Sequence, residues 1–168
     1  MDDERPPAPD DTAAADTAHA TELVRAGLEP LRFLVGEWVG TGISHGEPVR
    51  GRMRATLEVD QTFLMTRETG IAADGTVDFE DLAIYRWEGA EQTLKVRHLQ
   101  APGTAQEYHV EPVTVPDAPD GVQWNAGPFS PRVLLRPDGH GGLHTEVWMA
   151  WRSKPDTVMS WTRAEDPA

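Results

Sequence analysis

From Glu37 onward, short runs of Val, Thr, Trp, Leu and Tyr alternate with charged residues and are cut by clusters of Gly, Pro and Asp. Alternation with period two predicts strands with one buried face. The pattern gives ten of them, at 37–44, 51–59, 62–71, 79–87, 92–100, 105–113, 121–126, 131–136, 143–152 and 157–164. The connectors between them, such as "AADG", "EGAE", "APGT" and "SKPD", are turn sequences, and no long amphipathic helix intervenes. Parallel neighbours would need crossover helices. The expected fold is therefore all-β, an antiparallel meander of about ten strands closed into a barrel.

Two runs show the alternation clearly. Met53, Ala55, Leu57 and Val59 share one face, against Arg52, Arg54, Thr56 and Glu58. Leu143, Thr145, Val147, Met149 and Trp151 oppose His144, Glu146, Trp148 and Ala150. Trp148 and Trp151 fall on opposite faces, so this run does not say which face lines the lumen.

The first residues have a different texture. Residues 1–16, "MDDERPPAPDDTAAAD", are acidic and rich in Pro and Ala, and predict a disordered tail. Thr17 or Thr21 can cap a short helix over "ATELVRAG", ended by Gly27, and "LEPLRFL" reads as one more helical turn. Residues 17–168 then form a single barrel domain.

Composition narrows the function classes. The 168 residues include no cysteine, which removes disulfides, a thiol nucleophile and thiolate metal sites. The net charge of −13 argues against nucleic acid and against an anionic membrane surface. No run reaches the ~18 apolar residues of a membrane span, and no signal peptide is visible, so the expected location is the cytoplasm.

One short stretch carries the barrel's closure. In "LRFLVGEWVGTG", Trp38, Gly40 and Gly42 share a strand face. Glycines inside a strand mark a bend or a close approach. In the last predicted strand, Met159, Trp161 and Arg163 alternate in the same way. If the meander closes, its first and last strands become neighbours, and Arg163 can stack on Trp38.

The same stretch resembles the opening of nitrobindin-like bacterial proteins. They share Leu-x-Phe-Leu followed by a Gly-x-Trp-x-Gly-x-Gly strand, here Gly36 to Gly42. The resemblance runs more loosely through "FEDLAIYRWEGAEQTLKVRHL" to "VMSWTRA". It implies a calycin-type barrel, similar to lipocalins and fatty-acid-binding proteins. In nitrobindins it would also imply ferric haem held by a last-strand histidine, and isomerisation of peroxynitrite to nitrate. This chain departs there. "PDTVMSWTR" has no histidine, and Met159 is its one side chain able to ligate iron, which places the chain in a branch without the haem histidine.

The remaining candidates are side chains on predicted strands. His98 and His109 lie on adjacent strands and could converge inside the barrel, as ligands or as a general base. Arg67 and Arg97 are candidates for an inward cation that receives an anionic ligand, as fatty-acid-binding barrels use. Trp148, Met159 and Trp161 are candidate lumen walls. No His-x-His or HExxH spacing points to a metal, and no nucleophile elbow, phosphate loop or dinucleotide fingerprint is present.

The leading expectation is a barrel that holds a small hydrophobic or amphipathic molecule, with no cofactor assigned and haem left open. The alternatives are a haem-dependent isomerase with altered axial ligation, and a cofactor-free isomerase or cyclase using the lumen. The oligomeric state is left open, a homodimer included.

Overall fold

Ten strands close on themselves in a computed structural model that describes residues 11–165. They are β1 (Gly36–Ser44), β2 (Glu47–Glu58), β3 (Phe63–Ala72), β4 (Val77–Glu88), β5 (Thr93–Gln100), β6 (Thr104–Val113), β7 (Gly121–Asn125), β8 (Arg132–Pro137), β9 (Leu143–Trp148) and β10 (Thr157–Arg163). Each pairs antiparallel with its neighbours in sequence, and β1 pairs with β10, so the sheet has no free edge. All ten predicted strands are present.

Their ends differ from the sequence reading by more than two residues in two places. β2 starts at Glu47 because the connector from β1 shrinks to His45 and Gly46, both at positive φ (51° and 89°), the backbone of a two-residue hairpin turn. β9 stops at Trp148, which leaves Trp151 exposed in the following loop rather than on the strand.

Helix α1 (Asp11–Gly27) starts before Thr17, inside the segment read as tail, because the Ala-rich run at 13–15 extends the helix. The tail's first ten residues lie outside the described ones. Gly27 ends the helix where a side chain would collide with Trp87 of β4. A 3₁₀ turn, Glu29–Leu34, then brings Leu28, Leu31 and Leu34 into one end of the barrel, where each is at most 1% exposed.

That end is filled by the first and last strands. Trp38 stands opposite Arg163 and Gly40 opposite Trp161. Trp161 lies flat over β1 and β2, in space that a Cβ on Gly40 or Gly51 would occupy. Its indole N–H donates to Thr145 Oγ1 at 3.0 Å. Trp38 donates to the Leu34 carbonyl at 2.7 Å and so ties the strand to the turn that precedes it. Arg163 covers Trp38 from solvent, its guanidinium 3.8 Å from the ring centroid, and donates to the Val35 carbonyl. Gly36, at φ 138°, is where that guanidinium passes, since any Cβ there would overlap it. Trp38, Gly40 and Gly42 of β1 thus stand opposite Arg163, Trp161 and Met159 of β10.

Arg163→Met removes the guanidinium–indole contact and the bond to Val35 while keeping an apolar stem over Trp38. The expected loss of stability is about 1–2 kcal/mol, read from the midpoint of a urea melt. An unchanged midpoint would mean that the closure does not depend on this residue.

Candidate functional site

The other half of the barrel is open inside. A cavity of about 640 Å³ runs from Leu34, Met53 and Met159 at its base to His45, Thr104, Pro131 and Asp156 at its rim. This volume falls in the range of small-molecule pockets.

The walls divide by strand. β1, β2 and β7–β10 contribute mostly apolar or hydroxyl groups, among them Met53, Val133, Leu135, Thr145, Val147 and Met159. The strands β3 to β6 bring titratable groups instead. Alternation turns Leu64, Thr66 and Glu68 of β3 inward, with Asp81, Ala83 and Tyr85 of β4. His98 of β5 and Tyr108 of β6 follow. Register places Glu68 directly opposite Asp81, and His98 one pair further along.

These neighbours perturb one another. Burial pushes the Glu68 carboxyl up to about 8, and the negative charge of Asp81 adds to the effect. Glu68 is thus mostly a neutral acid at pH 7. Asp81 Oδ2 lies 3.3 Å from His98 Nε2, while Asp81 Oδ1 is buried with no hydrogen-bond partner. Burial also raises Tyr85, with the Thr66 hydroxyl partly offsetting it, and Tyr108, where Asp81 contributes.

Aromatic rings complete this wall. Trp124 of β7 is the hub, with ring centroids of His98 at 5.3 Å, Tyr108 at 5.6 Å and Tyr85 at 5.8 Å. The Trp124 N–H approaches Tyr85 without reaching hydrogen-bond geometry. Tyr108 donates to Gln106 at 3.0 Å, and Gln106 in turn donates to Ser130 in the rim loop.

At the rim a third carboxyl is already paired. Asp156 lies 2.5 Å from His45 Nδ1 and 3.2 Å from Arg152. The Asp156 carbonyl accepts from the His45 backbone N–H, and Thr157 donates to Ser44. This cluster joins the β1–β2 turn to the loop before β10.

Several residues singled out in the sequence lie elsewhere. Arg67 and Arg97 are exposed on the outer face, so neither is an inward cation. Their neighbours decide this, since Leu64 and Thr66 in β3, and Leu94 and Val96 in β5, take the inward positions. His109 is outward as well, because Tyr108 and Val110 beside it are buried, so it does not meet His98. Trp148 lies on the outer face under Arg132, whose guanidinium is 4.3 Å from its centroid. His98 and Met159 do line the cavity, whereas Trp161 lies below it as floor.

Sequence reasoning missed Glu68, Asp81, Tyr85, Tyr108 and Trp124. The signal was present in β4, where Phe79, Asp81, Ala83, Tyr85 and Trp87 alternate and place an acid among aromatics. Among the described residues, no group of three His, Asp or Glu is placed to hold a metal ion, and no helix is long and apolar enough to cross a membrane.

Comparison with known proteins adds little to this picture. No family model matches the chain, and no curated protein does. Among solved structures, it is similar to a chain described as a de novo designed fluorescence-activating beta barrel. The two share 14% identity, with a TM-score of 0.38, over 79% of this chain and 95% of that one. The barrel assignment rests on the strand pairing itself: the chain is a closed ten-stranded antiparallel β-barrel.

The raised Glu68 carboxyl makes stability depend on pH. Its carboxyl titrates near 8 in the fold and near 4.5 when unfolded, so the folded state holds the extra proton between those values. Stability therefore falls as pH rises from about 5 to 8, by an amount of the order of a few kcal/mol. Glu68→Gln should flatten this slope and raise the melting temperature at pH 8. A wild-type slope that survives in Glu68→Gln would assign the dependence to another group.

Proposed function

We propose that the protein is a binding barrel for a small, largely apolar molecule that carries no negative charge. One observation supports this reading above the others. Among the described residues, the lumen is lined by Glu68, Asp81 and Asp156, and by no Lys or Arg. A fatty-acid carboxylate would enter next to like charge in a desolvated space, with no cation to receive it. The apolar wall from Met53 to Met159 suits the body of the ligand, and the polar wall from Glu68 to Gln106 orients one end of it.

Haem fits this lumen poorly, and the resemblance to nitrobindins is not extended to their chemistry. Of the described histidines that line the lumen, His45 at the rim is paired with Asp156, and His98 turns its Nε2 toward Asp81. The lining offers propionates no guanidinium or ammonium.

A second reading, an acid–base isomerase without a cofactor, is favoured by one arrangement. Glu68 can donate a proton, and Asp81 with His98 can accept one on the same wall. Recovery of a bound ligand chemically changed would support that reading, and recovery unchanged would leave the binding function.

Nile red, a neutral apolar dye, tests the main proposal by its emission on uptake. The dye should be displaced by decanol and not by decanoate at the same concentration. No uptake, or equal displacement by decanoate, would overturn it.

A further inference from the structure

We propose that the polar wall of the lumen is a recognition site for an organic amine, bound as its ammonium ion between Asp81 and Glu68 with its hydrocarbon body against Tyr85, Tyr108 and Trp124. This rests on the binding reading above and narrows it from any molecule without negative charge to a cation.

The first argument is the accounting of charge. Three carboxyls face the lumen. Asp156 has His45 and Arg152 beside it, and both groups belong to the rim. Among the described residues, Asp81 has His98 beside it and no Lys or Arg, and Glu68 has no ion pair. The two acids stand directly opposite each other on adjacent strands, where like charges repel at Cβ separations of about 5 Å. The described cations of the same strands point outward: Arg67 in β3, Arg86 in β4, and Lys95 and Arg97 in β5. Arg86 is taken up by Glu88 and Glu107, and Lys95 by Glu91. His98 reaches one oxygen of Asp81 and leaves the other buried and unpartnered. A buried carboxylate oxygen without a donor is costly, and a charged donor relieves it most.

The second argument is the shape and chemistry of what surrounds that oxygen. An ammonium has three N–H donors. The carboxyls of Asp81 and Glu68 and the Thr66 hydroxyl belong to the same stretch of wall and can supply three acceptors. A metal ion would need converging ligands, and no such group of three occurs among the described residues. Tyr85, Tyr108 and Trp124 line the same cavity as the carboxyls, and aromatic rings are common in sites for organic cations. A neutral alcohol could satisfy Asp81 Oδ1, but it would leave the charge of the pair without a counter-ion.

Two ligands of nearly equal shape separate these cases, 2-(2-naphthyl)ethylamine and 2-(2-naphthyl)ethanol, titrated calorimetrically into the full chain at pH 7. The amine should bind at least tenfold more tightly than the alcohol. Its advantage should widen between pH 6 and 8.5, as Glu68 gives up its proton and the pair gains a second negative charge. Asp81→Asn and Glu68→Gln should each lose most of the amine's advantage over the alcohol, with near-UV circular dichroism unchanged from wild type to show that each variant remains folded. Equal binding of amine and alcohol by the wild type would overturn the amine site and leave the apolar lumen standing. An amine preference that persists in Asp81→Asn would overturn it too. Failure of both ligands to bind would overturn the amine site and the binding reading together.

Discussion

The pairing of β1 with β10, covered at one end by Arg163 over Trp38, is the junction on which the rest of the barrel depends, because it joins the last strand to the first. A meander without that junction would have two free edges and no interior. The junction also sets where the interior begins. Trp161, two residues earlier on the same face, lies across Gly40 and Gly51 and becomes a floor. Leu28, Leu31 and Leu34 seal it from below. The glycines are what let one indole fill the width of the barrel. A larger residue at either position would push the floor up into the cavity.

Above the floor, the same sheet is divided by chemistry. One side is apolar, and the side built from β3 to β6 carries Glu68, Asp81, His98 and Tyr108. Antiparallel register makes this a wall rather than a scatter, since Glu68 faces Asp81 and His98 follows one pair away. A stable core would avoid this arrangement. Desolvation and repulsion hold a proton on Glu68 and leave an Asp81 oxygen without a donor. A fold that carries such strain beside a cavity of about 640 Å³ concentrates its unfavourable electrostatics where a bound molecule can relieve them.

The architecture was legible in the sequence because it depends on patterns that one strand carries by itself. Turn residues marked nearly every strand end, and the Gly-Trp-Gly-Gly spacing marked the closure. The site was less legible, because it depends on which face of a strand points inward. In β5 the answer was in reach, since Leu94 and Val96 fix His98 inward and Arg97 outward. In β6, Tyr108 and Val110 do the same against His109. In β3 it was not. Phe63, Met65, Arg67 and Thr69 are as plausible an inward set as Leu64, Thr66, Glu68 and Gly70 until β2 and β4 fix the register. Arg67 became a candidate inward cation because the strand alone left both sets open.

That choice of face reverses the expected ligand chemistry. With Arg67 inside, the lumen would present a cation and select an anion. With Glu68 inside, it presents a carboxyl beside a second carboxyl and rejects one. A single residue of register in β3 separates the two, because a shift by one exchanges the faces of the whole strand. The bulge between Gly70 and Ile71 lies just beyond Glu68, so the β3–β4 pairing changes register only after the acid pair has been set. On the proposed reading, the ligand's sign of charge is set by pairing along β2, β3 and β4, and the rim residues at His45 and Asp156 bear on access to the lumen and not on that sign.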